Sequence, residues 1–194
     1  MACVSDTRAS TDTFAPLQSV HVPVEIAGDV LRAGGRGVGV WIVTKDGDPR
    51  ALALADRHYS RGKPGTPLFV GPGRKIVLVS EDGLALWATR HSLYRRDGRT
   101  GWECVMFRNE GPWLSSHLIV LALGVTRYLW GDPPAEGMFT FVGHRLRGGC
   151  FYAAGFHKDG ATADGRLCLR LQADHWPPSI QPARAGLFAE EMSL

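Results

Sequence analysis

Apolar residues along the chain form short β-branched and aromatic runs typical of strands, and patterns repeating about every 3.6 residues typical of α-helices. Residues 37–44 (GVGVWIVT) form a β-branched and aromatic run between glycines and KDGD, which predicts a strand. Residues 48–60 begin with Asp48 as an N-cap and Pro49 at the first helical position. We therefore expect a helix that ends near Ser60, because the RGKPG that follows cannot continue it.

The middle of the chain predicts a hairpin, a further strand and a long helix. Residues 75–80 and 84–90 are apolar runs separated by Glu-Asp-Gly, a strong hairpin signal. Residues 101–109 predict another strand. Leucine and valine at helical spacing over 114–129 predict a helix, and Gly131 stands where such a helix would end.

Three shorter segments complete the pattern. Residues 137–143 predict an apolar strand, 150–156 the start of a short helix, and 166–172 a final strand. The resulting order is β-α-β-β-β-α-β-α-β. Strands and helices that alternate after a hairpin predict an α/β class with a mixed, partly antiparallel sheet and flanking helices.

The length and composition favour one domain with two terminal segments. The 194 residues are enough for a single core and few for two. Residues 1–20 are rich in Ser, Thr and Asp and predict disorder, so the domain is placed at 21–172. Residues 173–194 contain three prolines and predict a C-terminal extension that is either poorly ordered or packed across the surface.

Composition narrows the function classes. Hydrophobic residues make up 44% and charged residues 21%, which is typical of a globular protein. No apolar run approaches the ~20 residues of a transmembrane helix, and the N-terminus lacks the apolar core of a signal peptide, which indicates a cytosolic protein. Cysteines without C-x-x-C spacing argue against a zinc ribbon, and the histidines show no ligand spacing, so no metal site is predicted.

Positive charge is concentrated in two stretches. Residues 57–75 contain five basic residues and no acid, and residues 90–99 contain four arginines and one aspartate. Basic loops with interleaved tyrosines fit an anionic partner such as a nucleic acid or a phosphorylated cofactor. A basic surface that serves only solubility is the alternative.

A strand that feeds a long helix, followed by Tyr-x-x-Gly-Phe at 152–156, resembles the GNAT acyltransferase fold. In that family an Arg/Gln-x-x-Gly-x-Gly/Ala turn holds the pyrophosphate of acyl-CoA at a helix N-terminus. The resemblance implies a cofactor site in the corresponding turn and the first turn of the helix, formed by Arg108, Asn109, Gly111 and Ser115.

The same turn departs from the family pattern at three positions. Pro112 has no N–H to offer, Trp113 replaces the final small residue, and Glu110 adds a negative charge. The donor is therefore left open between acyl-CoA and another glycine-derived molecule.

A narrower resemblance uses more of the chain. The motifs DRHYS at 56–60, FRNEG…LSS at 107–116 and FYAAGF at 151–156 look like the phage Mom DNA-modification family, over roughly residues 37–172. That family is a divergent GNAT branch which adds a carbamoylmethyl (glycinamide) group to adenine N6 in DNA. Its acidic residue after the strand that precedes the last helix has no counterpart, since Gly143 stands there.

This resemblance implies roles for four side chains. His58 would take the proton of the exocyclic amine, because an unperturbed imidazole titrates near pH 6.5. Tyr59 would relay protons or stack on a base, Ser116 would bind the transferred group, and Tyr152 would protonate the leaving group. The structural alternatives are helix capping for His58 and Ser116 and core packing for Tyr152.

A base inside a duplex is out of reach, so such an enzyme must flip it and hold the backbone on both sides. The resemblance therefore implies double-stranded DNA as the partner. The candidates for phosphate contact are Arg61, Lys63, Arg95 and Arg96, and the candidates for base stacking are Tyr94 and Trp113. For each of them, a solvated surface position without a partner is the alternative.

Two other functions stay open at this point. One is a GNAT acetyltransferase that uses acetyl-CoA on a small amine or a protein. The other is a DNA-binding module without chemistry, for which binding would depend strongly on salt but not on the residues at 58 and 152.

Overall fold

Seven strands form one mixed sheet in the computed structural model, which describes residues 40–91 and 97–183. The sheet order is β1-β2-β3-β4-β5-β7-β6, with β4 and β5 parallel and the other neighbouring strands antiparallel. The strands are β1 Trp41–Thr44, β2 Arg74–Ser80, β3 Ala85–His91, β4 Trp102–Asn109, β5 Met138–Val142, β6 His157–Ala161 and β7 Leu167–Leu171.

Helices cover both faces of this sheet, which confirms the predicted α/β class. Helix α1 spans Pro49–Asp56, α2 spans Ser115–Trp130, α3 spans Gly149–Ala153, and a 3-10 turn spans Ala173–His175. The longer helix α2 and α3 pack on one face, while α1 packs on β2, β3 and β4 from the other. The predicted β2–β3 hairpin is present.

Helix α1 begins as predicted and ends earlier than predicted. The Asp48 carboxylate accepts hydrogen bonds from the Arg50 N–H at 2.9 Å and from the Thr44 hydroxyl at 2.6 Å, which fixes the first turn. The helix ends at Asp56 because that carboxylate binds the Arg61 guanidinium and the Gly65 N–H, both at 2.8 Å. The end predicted near Ser60 is therefore wrong, and the residues that follow Asp56 form a turn.

Strand β6 was not predicted. Its sequence HKDGA is polar and contains a glycine, and most of its residues are exposed at the edge of the sheet. It is held by backbone pairing with β7. An edge strand needs no apolar face, so it leaves no alternating pattern in the sequence.

The chain beyond Gln172 packs across α2 as far as residue 183. Trp176 and Ile180 are buried, and the Trp176 indole N–H donates to the Leu123 carbonyl at 3.0 Å. The Ala183 N–H then donates to the Trp41 carbonyl at 3.0 Å, so this segment continues to the edge of β1. None of the described helices is both long and apolar enough to cross a membrane.

Gly124 is the point where this segment approaches α2 most closely. A Cβ at Gly124 would lie 2.5 Å from Ile180 Cδ1 and 2.9 Å from the Pro178 carbonyl oxygen. We predict that Gly124→Ala lowers the free energy of unfolding by about 1–3 kcal/mol, although alanine is the better helix former, because the backbone of the C-terminal segment must move. Urea denaturation measures the change.

A second variant tests the cause of this loss. Ile180→Ala removes the nearest atoms, so the double variant should lose less than the sum of the two single changes. A Gly124→Ala protein as stable as the wild type would contradict the predicted contact.

Candidate functional site

The site lies where β4 and β5 separate. Their parallel pairing runs from Trp102 opposite Met138 to Cys104 opposite Thr140 and stops there. Val105 is an extra residue in β4, because Thr89 of β3 pairs with Cys104 while the preceding Ala88 pairs with Met106. A β-bulge bends the strand that carries it, so β4 turns away from β5 at this residue.

The opening between the strands contains two adjoining cavities. The outer cavity has a volume of about 770 Å³, within the range of roughly 300–1,000 Å³ usual for small-molecule sites. The inner cavity has a volume of about 270 Å³. Tyr59, Val105, Phe141 and Leu146 line both, so the two cavities share a wall.

The two cavities differ in character. The outer one is lined by four arginines, Arg57, Arg108, Arg145 and Arg166, and by one carboxylate, Glu103, which is bound to Arg90 at 2.7 Å. The inner one is lined mostly by apolar and aromatic side chains, including Met106, Phe107, Val142 and Phe151, together with His58 and Arg147. The site can therefore hold an anion outside and an uncharged group inside.

His58 lies in the turn after α1 and is 8% exposed. Its Nδ1 lies 2.7 Å from the Ser60 hydroxyl and accepts the Ser60 N–H at 3.3 Å, which places the ring proton on Nε2. Burial and the nearby Arg108 guanidinium lower the pKa of His58 to about 4, against a smaller opposing effect of the Phe107 backbone carbonyl. The imidazole is thus neutral near pH 7 and able to accept a proton.

Ser60 links His58 to the outer cavity. Its side chain is exposed and lines that cavity, while its hydroxyl contacts the buried imidazole. A hydroxyl in this position can take a proton from a ligand and pass its own to Nδ1. Ser60 was not predicted as a site residue, although its place two residues after the candidate base His58 is a usable signal.

Tyr59 crosses the opening between the strands. Its hydroxyl donates to the Phe141 carbonyl of β5 at 2.9 Å, and its ring covers Gly143, where a Cβ would lie only 2.7 Å from the ring. A side chain at Gly143 would displace this tyrosine. Burial also raises the pKa of Tyr59, which keeps the phenol protonated.

A carboxylate joins two of the arginines at the rim of the outer cavity. The Arg57 guanidinium donates two hydrogen bonds to the Glu110 carboxylate, from Nε to Oε1 at 2.8 Å and from Nη2 to Oε2 at 2.6 Å. Arg108 Nε donates a third to Glu110 Oε1 at 2.5 Å. These hydrogen bonds from Arg57 and Arg108 lower the pKa of Glu110 to about 2. Glu110 is therefore an anion throughout the neutral range.

The predicted cofactor residues Asn109, Gly111 and Ser115 contact one another. The Asn109 amide oxygen accepts the Gly111 N–H at 3.0 Å, and its nitrogen donates to the Trp113 carbonyl at 2.6 Å and to the Ser115 hydroxyl at 3.1 Å. These contacts shape the turn between β4 and α2. Of the predicted cofactor residues only Arg108 lines the outer cavity.

Carboxylates lie beside this turn. Asp82 approaches it, and although burial acts to raise its pKa, hydrogen bonds from Ser80, the Leu84 N–H and the Trp113 side chain lower it. Glu110 lies at the start of the same turn. The N-terminus of α2 is therefore less favourable for a pyrophosphate than the helix dipole alone suggests.

Two predicted catalytic residues lie elsewhere. Ser116 is buried in the first turn of α2, and Tyr152 is partly buried against the core between the sheet and α2. Neither lines the outer or the inner cavity. The structure thus brings His58 and Tyr59 together at the cavities, whereas Ser116 and Tyr152 do not line them.

The predicted phosphate contacts also differ in their surroundings. The Arg61 side chain is 8% exposed and binds Asp56 and the carbonyls of Thr66 and Leu68, so it holds the loop that follows α1. Lys63 is exposed in that loop. Tyr94, Arg95 and Arg96 lie outside the described residues.

Arginines also cover the sheet beside the outer cavity, where no described helix packs. Arg99 and Arg166 lie over the Phe141 ring at 5.6 and 5.3 Å, and Arg170 lies over the Phe139 ring at 5.6 Å. Arg166 belongs to both this layer and the cavity wall. Arg57, Arg145 and Arg166 were not predicted as cavity residues, because they come from three separate loops.

Comparison with known proteins returns no match of any kind. No protein-family model, no curated protein and no solved structure is significantly similar to this chain.

The buried, neutral His58 has a consequence for stability. The unfolded chain binds a proton at this residue below about pH 6.5, whereas the folded protein does so only near pH 4. We therefore predict that His58 removes up to about 3 kcal/mol of stability as the pH falls through this window. The measurement is urea denaturation of wild type and His58→Gln at several pH values between 7 and 4.

The difference between the two proteins isolates this residue from the other titrating groups. The stability of the wild type relative to His58→Gln should decrease from pH 6.5 to pH 4 and then stay level. A difference that is the same at every pH would show that His58 titrates alike in the folded and unfolded chains.

Proposed function

We propose that this protein is a GNAT-like group transferase of the Mom type, which modifies the N6 amine of adenine in DNA. The observation that carries the proposal is the neutral His58, which reaches an arginine-lined cavity through the Ser60 hydroxyl. A buried general base beside a cationic cavity fits a substrate in which the nucleophilic amine is part of an anionic polymer such as DNA. The likeness of the DRHYS and FRNEG motifs to the Mom family supplies the identity of the acceptor.

In the proposed step the adenine N6 attacks the carbon of a carbamoylmethyl group on an activated, glycine-derived donor. The new N–C bond forms as the bond from that carbon to its leaving group breaks. The amine proton passes to Ser60 Oγ, and the Ser60 hydroxyl proton passes to His58 Nδ1, 2.7 Å away. Binding of a phosphate near Arg108 would favour the imidazolium, because that guanidinium lowers the pKa of His58 in the free protein.

The size and charge of the cavities support a flipped base. The outer cavity of about 770 Å³ offers room for a nucleotide, and its arginines offer partners for the adjoining phosphates. The half-exposed Tyr59 ring offers a surface for stacking, since its hydroxyl is already bound to Phe141. The inner cavity offers a place for the small uncharged group.

The surroundings of α2 disfavour the acetyl-CoA alternative. Pro112 has no N–H, the Gly111 N–H is bound by Asn109, and Glu110 and Asp82 place negative charge beside the turn. A pyrophosphate at this helix end would therefore meet fewer donors and more repulsion than the fold family usually offers.

The proposal predicts a modified nucleoside in living cells. DNA from cells that express the wild type should contain an adenine nucleoside heavier by one carbamoylmethyl group, measured by mass spectrometry of digested DNA. His58→Ala should reduce its amount roughly 100-fold or more, as loss of a general base does. Ser60→Ala should reduce it as well, because the relay is broken.

His175→Ala is the matched control, since this histidine lies in the 3-10 turn and lines neither cavity. It should leave the modified nucleoside unchanged. Unmodified DNA in cells that contain soluble wild-type protein would contradict the proposal. Thermal stabilisation by acetyl-CoA would then favour the acetyltransferase, and salt-dependent DNA binding unaltered in His58→Ala and Tyr152→Phe would favour the module without chemistry.

A further inference from the structure

The Glu110 carboxylate is bound by two arginines in the way that proteins commonly bind a phosphate group. Arg57 approaches it with two parallel hydrogen bonds and Arg108 with a third. A fork of this kind binds carboxylate and phosphate oxygens with the same geometry. Both arginines also line the outer cavity.

Glu110 is the member of this cluster whose side chain can move away and expose the arginines. The side chains of Arg57 and Glu110 are 51% and 26% exposed, so water can replace their ion pair at small cost. Arg108 has a second anchor, because its Nη1 donates to the Arg57 backbone carbonyl at 2.5 Å. When Glu110 swings away, Arg108 is still oriented toward the same spot.

We propose that Arg57 and Arg108 form a binding site for a backbone phosphate of the nucleic acid, and that Glu110 fills this site in the free protein. The incoming phosphate exchanges with the carboxylate, so the pair is never left without an anion. Glu110 thereby weakens binding of the nucleic acid and assists its release. The DNA identity of the ligand rests on the proposed function, whereas the phosphate chemistry rests on the two arginines alone.

The rest of the cavity favours a polymer over a free phosphate. Arg145 and Arg166 line the same cavity from the segments that follow β5 and precede β7. A strand that places one phosphate on the Arg57–Arg108 pair therefore meets further cations along the opening. A single free phosphate would use only the pair.

The test is the affinity for a fluorescent duplex oligonucleotide at several salt concentrations. Glu110→Gln removes the competing charge and should tighten binding roughly twofold to fivefold at low salt. The slope of log K against log salt should steepen by about one ion, because the displaced Glu110 of the wild type takes up a cation that offsets part of the counterion release, and the variant has no such carboxylate. Arg57→Gln and Arg108→Gln should weaken binding and reduce the slope.

Asp132→Asn is the matched control. It removes the same charge from another ion pair, in which Asp132 binds Arg127 at 2.6 Å at the opposite end of α2. Both variants change the net charge equally, so only a local effect distinguishes them. Equal tightening by Glu110→Gln and Asp132→Asn, or none by either, would overturn the proposal, provided circular dichroism shows folded proteins.

A second probe distinguishes the possible sources of phosphate. If Glu110→Gln tightens binding of inorganic pyrophosphate and CoA but leaves duplex DNA unchanged, the pair serves the donor, and the proposal is overturned. Tightened DNA binding by Glu110→Gln supports it even when no modified nucleoside is found. Failure of the phosphate site and failure of the proposed activity are thus separate results.

Discussion

The early separation of β4 from β5 is the constraint on which the rest of the site depends. Parallel pairing ends at Cys104 and Thr140, and the Thr140 hydroxyl donates to the Cys104 carbonyl at 2.9 Å at that point. Beyond it the Val105 bulge turns β4 away, and both cavities open along the exposed strand edges. Without this divergence the turn after α1 would face a closed sheet.

The turn after α1 fills that opening from one side. His58 enters between the helix and β4, and Tyr59 reaches across to the Phe141 carbonyl of β5. Burial keeps the imidazole neutral, while arginines from several elements keep the outer cavity cationic. A neutral base and a cationic surface are compatible here, because the Arg108 guanidinium, like burial, disfavours the imidazolium.

Some of the elements could be read directly from the sequence. The hairpin of β2 and β3, the N-cap at Asp48 and the long helix that ends before Gly131 depend on residues near one another in the chain. The end of α1 could not be read in this way, because it depends on what Asp56 binds after the loop has folded back. Strand β6 was missed because pairing with β7 holds it, without an apolar pattern of its own.

For the site, the sequence by itself determined that His58 and Tyr59 stand together at the end of a helix, beside a basic loop. Tertiary structure alone decided which basic residues share a cavity with them. Arg57, Arg108, Arg145 and Arg166 are distant in sequence and meet because two strands diverge, whereas Arg61 turns inward to hold its own loop. Local patterns record the propensities of neighbouring residues, but the surroundings of a charge depend on elements that pack from elsewhere in the chain.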